Sequence, residues 1–197
     1  RIRLLKNIAG LWLLQECRRA WSLEGTTYSY DELARLAADA PPFTAIINPD
    51  EYLEPGNLPA RIADRCRATG QRAPETPGQF SRTILESLAL RYRQVLDSLE
   101  TVVGRRFQVI HIVGGGSRNV VLNQFVADAT GRTVAAGPAE ATAIGNVLIQ
   151  AMGAGALAGL EEARALVRRS WPVEAFEPRP TADWDAAYRK YLEVTAA

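Results

Sequence analysis

The sequence predicts an α/β fold that is rich in helix and carries only a few parallel strands, and three observations predict it. Apolar residues recur at helical spacing through most of the 197-residue chain. From 107 to 152 the pattern becomes strand, helix, strand, helix, which is the signature of a parallel α/β unit. Inside that unit an apolar strand runs into three glycines, His111-Ile112-Val113-Gly114-Gly115-Gly116-Ser117-Arg118-Asn119. Glycines at such a turn let bare backbone approach a ligand, and the helix start that follows adds unpaired N–H groups and partial positive charge.

Taken in order, residues 4–22 read as a helix, with Leu5, Ile8, Leu11, Trp12, Cys17 and Trp21 near one face. Ser29 followed by Glu32 is a capping-box pattern, and it starts a helix that stops before Pro41-Pro42. Phe43–Ile47 is a short apolar run leading into a loop punctuated by proline and glycine, and a helix over about 59–69 ends at Gly70. Thr76-Pro77-Gly78-Gln79 combines an N-cap residue, proline at the first helical position and glutamine at the third. It launches the longest helix, 77–103, with Ile84, Leu85, Leu88 and Tyr92 on an apolar face and Glu86, Arg93, Asp97 and Glu100 on a polar one. Then follow a strand at 107–113, the glycine turn, a helix at 117–130, a strand at 133–136 and a helix at 139–152. Two more helices are expected at 160–170 and 182–194, on either side of the proline-rich segment 172–180.

Composition narrows the function. A formal net charge of +1 gives no electrostatic case for nucleic acid or an acidic membrane surface, so neither is expected as a partner. Cys17 and Cys66 lie far apart with no C-x-x-C pattern and read as two buried, reduced thiols of a cytoplasmic protein. His111 is the single histidine, which excludes a histidine-rich metal site, and it reads as a structural strand residue. Glu140 reads as structural support at a helix start, where the helix dipole favours a carboxylate. Around it Ala139, Ala141, Ala143 and Gly145 suggest a close-packing surface, and Asp128 has no evident partner.

The glycine turn can be tested against known phosphate-binding loops. The dinucleotide fingerprint needs a glycine where Asn119 stands, and the P-loop needs a glycine-lysine pair although no lysine is near. The glycine loop of protein kinases sits in a hairpin rather than between strand and helix. Two readings remain: a tight turn with no ligand, or the strand–Gly-Gly–helix turn that lies against adenosine in the sugar kinase, Hsp70 and actin group.

Several runs carry a resemblance. They are Lys6-Asn7-Ile8-Ala9-Gly10-Leu11-Trp12-Leu13-Leu14-Gln15-Glu16-Cys17, Ile46-Ile47-Asn48-Pro49-Asp50, Ile84–Tyr92, His111–Gly116, Ala127–Gly131 and Gly137–Asn146. In this order, to about residue 178, the chain resembles the FGGY carbohydrate kinases. The Asn7–Gln15 stretch is similar to the branch of that family acting on L-rhamnulose. The resemblance implies a ribonuclease H-like (actin-like ATPase) domain, here incomplete. The whole of 1–197 would be the C-terminal, nucleotide-side domain, lacking its first strands and an entire N-terminal domain.

It also implies transfer of the ATP γ-phosphate, with Mg2+, to the 1-hydroxyl of a ketose. Gly114, Gly115 and Gln15 would bind ATP and Asn7 the sugar, while the catalytic base, an aspartate, would lie upstream of Arg1. On a continuous helix Asn7 and Gln15 would stand roughly 12 Å apart along the axis, so that one helix could serve both ligands. The chain alone is then expected to be inactive. The other readings are a sister kinase acting on xylulose, fuculose or glycerol, and a non-catalytic actin-like nucleotide-binding module.

Overall fold

The computed structural model describes residues 3–179 and 183–196. The elements are α1 (Trp12–Leu23), α2 (Tyr30–Asp39), α3 (Leu58–Ala68), α4 (Pro77–Val103), β1 (Val109–Ile112), α5 (Val120–Thr130), β2 (Thr133–Ala136), α6 (Ala141–Gly153), α7 (Leu160–Ser170), β3 (Glu174–Phe176) and α8 (Trp184–Ala196). The expected start of the last helix, residue 182, lies outside the described residues. The helix-rich α/β class is thus present, with one correction: β1 and β2 pair in parallel, but β3 pairs with β2 antiparallel. β3 falls in the proline-rich segment read as a connection, where three residues are too few for alternation to show.

The centre of the molecule is α4. Its N-terminus is built as the sequence implies: Thr76 Oγ1 accepts from the Gln79 amide at 3.3 Å, Pro77 opens the helix, and Gly104 closes it at φ 70°. Residues 83–90 are buried throughout, because α2 and α5 pack against this half of the helix. That explains why Glu86 does not lie on a polar face. It is fully buried, bonded at 2.7 Å to Arg82 Nε and accepting from the Phe43 amide at 2.8 Å. Arg82 in turn donates to the carbonyls of Ala37, Ala38 and Ala40, closing the C-terminus of α2. Burial pushes the Glu86 carboxyl up to about 7, against the opposing pull of Arg82 and the Phe43 amide.

The apolar run 43–47 forms no strand, although Ala45, Ile46 and Ile47 are buried. Side chains take the place of a neighbouring strand. Gln71 accepts from the Ile46 amide and donates to the Ile46 carbonyl, both at 2.9 Å, and Ser87 Oγ accepts from the Ile47 amide at 3.1 Å. Buried backbone polar groups need partners, and these supply them.

The first helix is shorter than expected. It begins at Trp12, and residues 3–10 carry no regular structure. Leu4 and Leu5, which continue the apolar spacing in sequence, are exposed, so no packing rewards a helix there. Ala9 alone is buried in that segment, its amide directed to Asp50 Oδ1 at 3.4 Å. Asp50 is held at 2.6 Å by Arg91 of α4.

Two further corrections concern carboxylates and small residues. Asp128 is well partnered: it accepts from Gln124 Nε2, from the Arg179 amide and from the Arg179 guanidinium, at 2.8–3.0 Å. A partner 51 residues away is invisible to local pattern. α6 has no buried residue, and a Cβ added at Gly145 would meet nothing within 4 Å. The close-packing surface read around Ala141 and Gly145 therefore has no counterpart among the described residues.

Candidate functional site

The glycine turn is not a simple strand-to-helix junction. Gly115–Arg118 make one turn of 3-10 helix, and α5 begins after Asn119, whose Oδ1 accepts from the Leu122 amide at 2.9 Å. Gly114 stands at φ 79°, ψ −165°, a conformation essentially reserved for glycine. Its amide donates to the Pro138 carbonyl at 3.1 Å, and its carbonyl accepts from the Ser117 amide and hydroxyl at 3.0 and 2.7 Å. The turn is thereby anchored at its start and closed on itself. The amides of Gly115 and Gly116 open the 3-10 turn, where the first donors have no partner inside it.

These two glycines face a cavity of about 950 Å³. Three walls define it. One comes from the start of α1, with Leu11, Trp12 and Gln15; the second from α2, with Tyr30, Asp31, Ala34 and Arg35; the third from the turn and the start of α5, ending in Val120 and Val121. A mostly apolar slot with a few polar groups at its edge is the usual form of a small-molecule site, and this one is at the large end of the range. Gly115 has no side chain, and a Cβ built there would meet nothing within 4 Å, so the backbone is open to the cavity at that point.

Of the residues singled out in the sequence, Gln15 and Gly115 meet across this cavity although 100 positions separate them. Gly114 lies immediately behind, setting the turn, and is not part of the lining. Asn7 is not part of it either. It is exposed on the irregular segment ahead of α1, so the picture of one helix presenting both amides does not hold. Glu140 stands at the N-cap of α6, the helix start at which the sequence places it; it makes no side-chain cap hydrogen bond and pairs at 3.1 Å with Arg118, at the end of the glycine turn.

Trp12, Tyr30, Asp31 and Arg35 were not legible as site residues. Trp12 fell within the core spacing of α1, and Tyr30 and Asp31 follow a helix cap where acidic residues are common. One signal was available, since Trp12 and Gln15 are three apart and so share a helix face. Among the described residues no group of three or more His, Cys, Asp or Glu side chains could hold a metal ion.

Comparison with known proteins gives the family. Residues 1–154 match the FGGY family of carbohydrate kinases, C-terminal domain. A rhamnulokinase of Bacteroides thetaiotaomicron is 51% identical over 189 residues, covering 95% of this chain and 38% of the relative. A rhamnulokinase of Bacillus subtilis is 40% identical over 180 residues, covering 90% of this chain and 36% of the relative. Among solved structures, the xylulose kinase from Rhodospirillum rubrum superposes with a TM-score of 0.62 at 23% identity, over 93% of this chain and 37% of that one. A Plasmodium falciparum glycerol kinase with ADP superposes with a TM-score of 0.57 at 18% identity, over 91% and 35%. At such identities the superpositions establish the fold, that of the actin-like sugar kinases, and the chain spans little more than a third of the length of these relatives. The chain belongs to the FGGY family of carbohydrate kinases, whose C-terminal domain its first 154 residues match.

Proposed function

We propose that this chain is the nucleotide-side part of an ATP-dependent sugar kinase acting on the 1-hydroxyl of L-rhamnulose in the cytoplasm. The observation that carries the reading is the meeting of Gln15 and Gly115 on one large, mostly apolar cavity. Bare amides at Gly115 and Gly116 suit close approach of a nucleotide, and the Gln15 amide can both donate to it and accept from it. Gly114 sets the turn, and the exposed Asn7 reaches toward the sugar from the segment ahead of α1. The sugar assignment is supported by the relatives named rhamnulokinase, and the nucleotide by the solved glycerol kinase with ADP.

Phosphoryl transfer is mainly positioning and charge stabilisation, with a base to take the hydroxyl proton. In this reading the chain supplies the positioning of the nucleotide. The base and the phosphate-binding groups, with Mg2+ carried on the phosphates, belong to the part of the longer protein outside this chain. Two surfaces support that division. α6 is apolar yet has no buried residue, and β1 is one of the two edges of the sheet, with Val109 and Val113 exposed along it. Both are surfaces that strands from the missing part of the domain would cover.

The substrate assignment is tested by phosphorylation rates of the full-length protein across L-rhamnulose, xylulose, fuculose and glycerol. The reading requires the highest kcat/KM for L-rhamnulose; preference for another acceptor overturns it.

A further inference from the structure

The irregular segment ahead of α1 is tied to the fold at one point, by side chains that three other elements hold in place. Among the described residues, the Ala9 amide makes the only hydrogen bond from residues 3–9 to the rest of the chain, to Asp50 Oδ1 at 3.4 Å. Asp50 is itself fixed twice. It stands in the 3-10 turn Pro49–Glu51, where Asn48 Oδ1 accepts from its amide at 3.2 Å, and its Oδ2 accepts from Arg91 Nη2 of α4 at 2.6 Å. Arg91 is largely buried and places its other Nη on Gln94 Oε1. That oxygen also accepts, at 3.5 Å, from the hydroxyl of Tyr191, a fully buried residue of α8.

Asn7 stands two residues from that point. Two residues span at most about 7 Å, so the anchor limits where the Asn7 amide can be. A carboxylate makes a stronger bond to a backbone N–H than a neutral acceptor does, and the arginine on one oxygen leaves the other aimed at Ala9. Resting on the reading that Asn7 meets the sugar, we propose that Asp50, oriented by Arg91, is a positioning residue for the sugar. It acts on the substrate through Ala9 and Asn7.

Without the anchor, residues 3–9 have no hydrogen bond to the rest of the chain, and the sugar must order them as it binds. That cost falls on the sugar, because neither Asp50 nor Arg91 lines the cavity at the glycine turn. A binding group misplaced by about 1 Å, through a change far from the chemistry, can cost about 10²-fold.

The test is a double-mutant cycle in the full-length protein: steady-state kinetics with L-rhamnulose and ATP on wild type, Asn7→Ala, Asp50→Ala and the double variant. Each single variant should lower kcat/KM for the sugar at least about tenfold, with KM for ATP within about twofold of wild type. The double variant should match Asn7→Ala to within about threefold, since Asp50 then has no amide left to place. Asp50→Asn, which keeps an oxygen for the Ala9 amide, should retain more of the sugar kcat/KM than Asp50→Ala, and it carries the same cycle if the alanine variant does not fold. Losses that multiply in the double variant, or a KM for ATP that rises as far as that for the sugar, overturn the proposal, because Asp50 then acts on the fold at large. If Asn7→Ala lowers sugar kcat/KM and a folded Asp50→Ala does not, positioning alone fails. If Asn7→Ala changes nothing, the reading of Asn7 as a sugar contact fails and the proposal falls with it. Circular dichroism of each variant confirms that it is folded.

Discussion

Gly114 and Pro138 are joined backbone to backbone, the Gly114 amide donating to the Pro138 carbonyl at 3.1 Å, while the Gly137 amide donates to the Ile112 carbonyl at 2.8 Å. The end of β1 and the end of β2 are thus tied just beyond the sheet, and the glycine turn has a fixed starting point. Gly114→Ala should cost about 1–3 kcal/mol, because an L residue at φ 79°, ψ −165° is strained. Thermal melts should show the loss, and it should exceed that of Gly115→Ala, where a Cβ meets nothing.

Gln71 is expected to matter for stability rather than for activity. Its side chain is the partner of both backbone groups of buried Ile46. Gln71→Ala leaves an N–H and a C=O unpaired in the core, at about 1–3 kcal/mol for each orphaned group. Urea denaturation should report the loss, with KM for ATP unchanged in the variant that remains folded.

Glu86 gives a pH dependence of defined sign. Its carboxyl is raised to about 7, chiefly by burial, above its ordinary value of 4.5. A raised carboxyl binds its proton more tightly in the folded state, so its contribution to stability is full below about pH 4.5 and is lost as pH rises through about 7. Glu86→Gln should flatten this fall. Melting curves of wild type and variant between pH 5 and 8 check it: the wild type should lose stability relative to the variant toward pH 8.

How much of this was legible in the sequence depended on range. The caps at Ser29 and Thr76, the length of α4 and the order of β1, turn, helix and β2 rest on spacings of a few residues, and all are present. The glycine turn that contains Gly115 stands out by local pattern, whereas Gln15 is identified by family resemblance alone, and only the fold brings the two to one cavity. What failed depended on distant packing. Leu5 keeps helical spacing with Ile8 and Trp12 but has nothing to pack on, so α1 starts late and Asn7 leaves the helix. Glu86 looks like a surface carboxylate until α2 and α5 close over it, and Asp128 meets Arg179 only through the return of the chain after β3.

The isolated 197-residue chain should show no ATP-dependent phosphorylation of L-rhamnulose. Losing a positioned base alone costs about 10²–10⁴-fold. The same chain should bind a hydrophobic dye through the open face of α6, with Val147 and Ile149 more than half exposed, and through the β1 edge. A coupled assay and dye fluorescence, each compared with the full-length protein, check both; turnover by the chain alone refutes the division of labour.

The central claim, that the cavity at the glycine turn holds the nucleotide, is tested most directly by Gly115→Val in the full-length protein. The new side chain has open space, so the fold should persist while the side chain enters the cavity. The account predicts that KM for ATP rises at least about tenfold with the sugar KM nearly unchanged, a loss of about 1.4 kcal/mol or more in nucleotide binding. An unchanged KM for ATP in a folded Gly115→Val protein would contradict it.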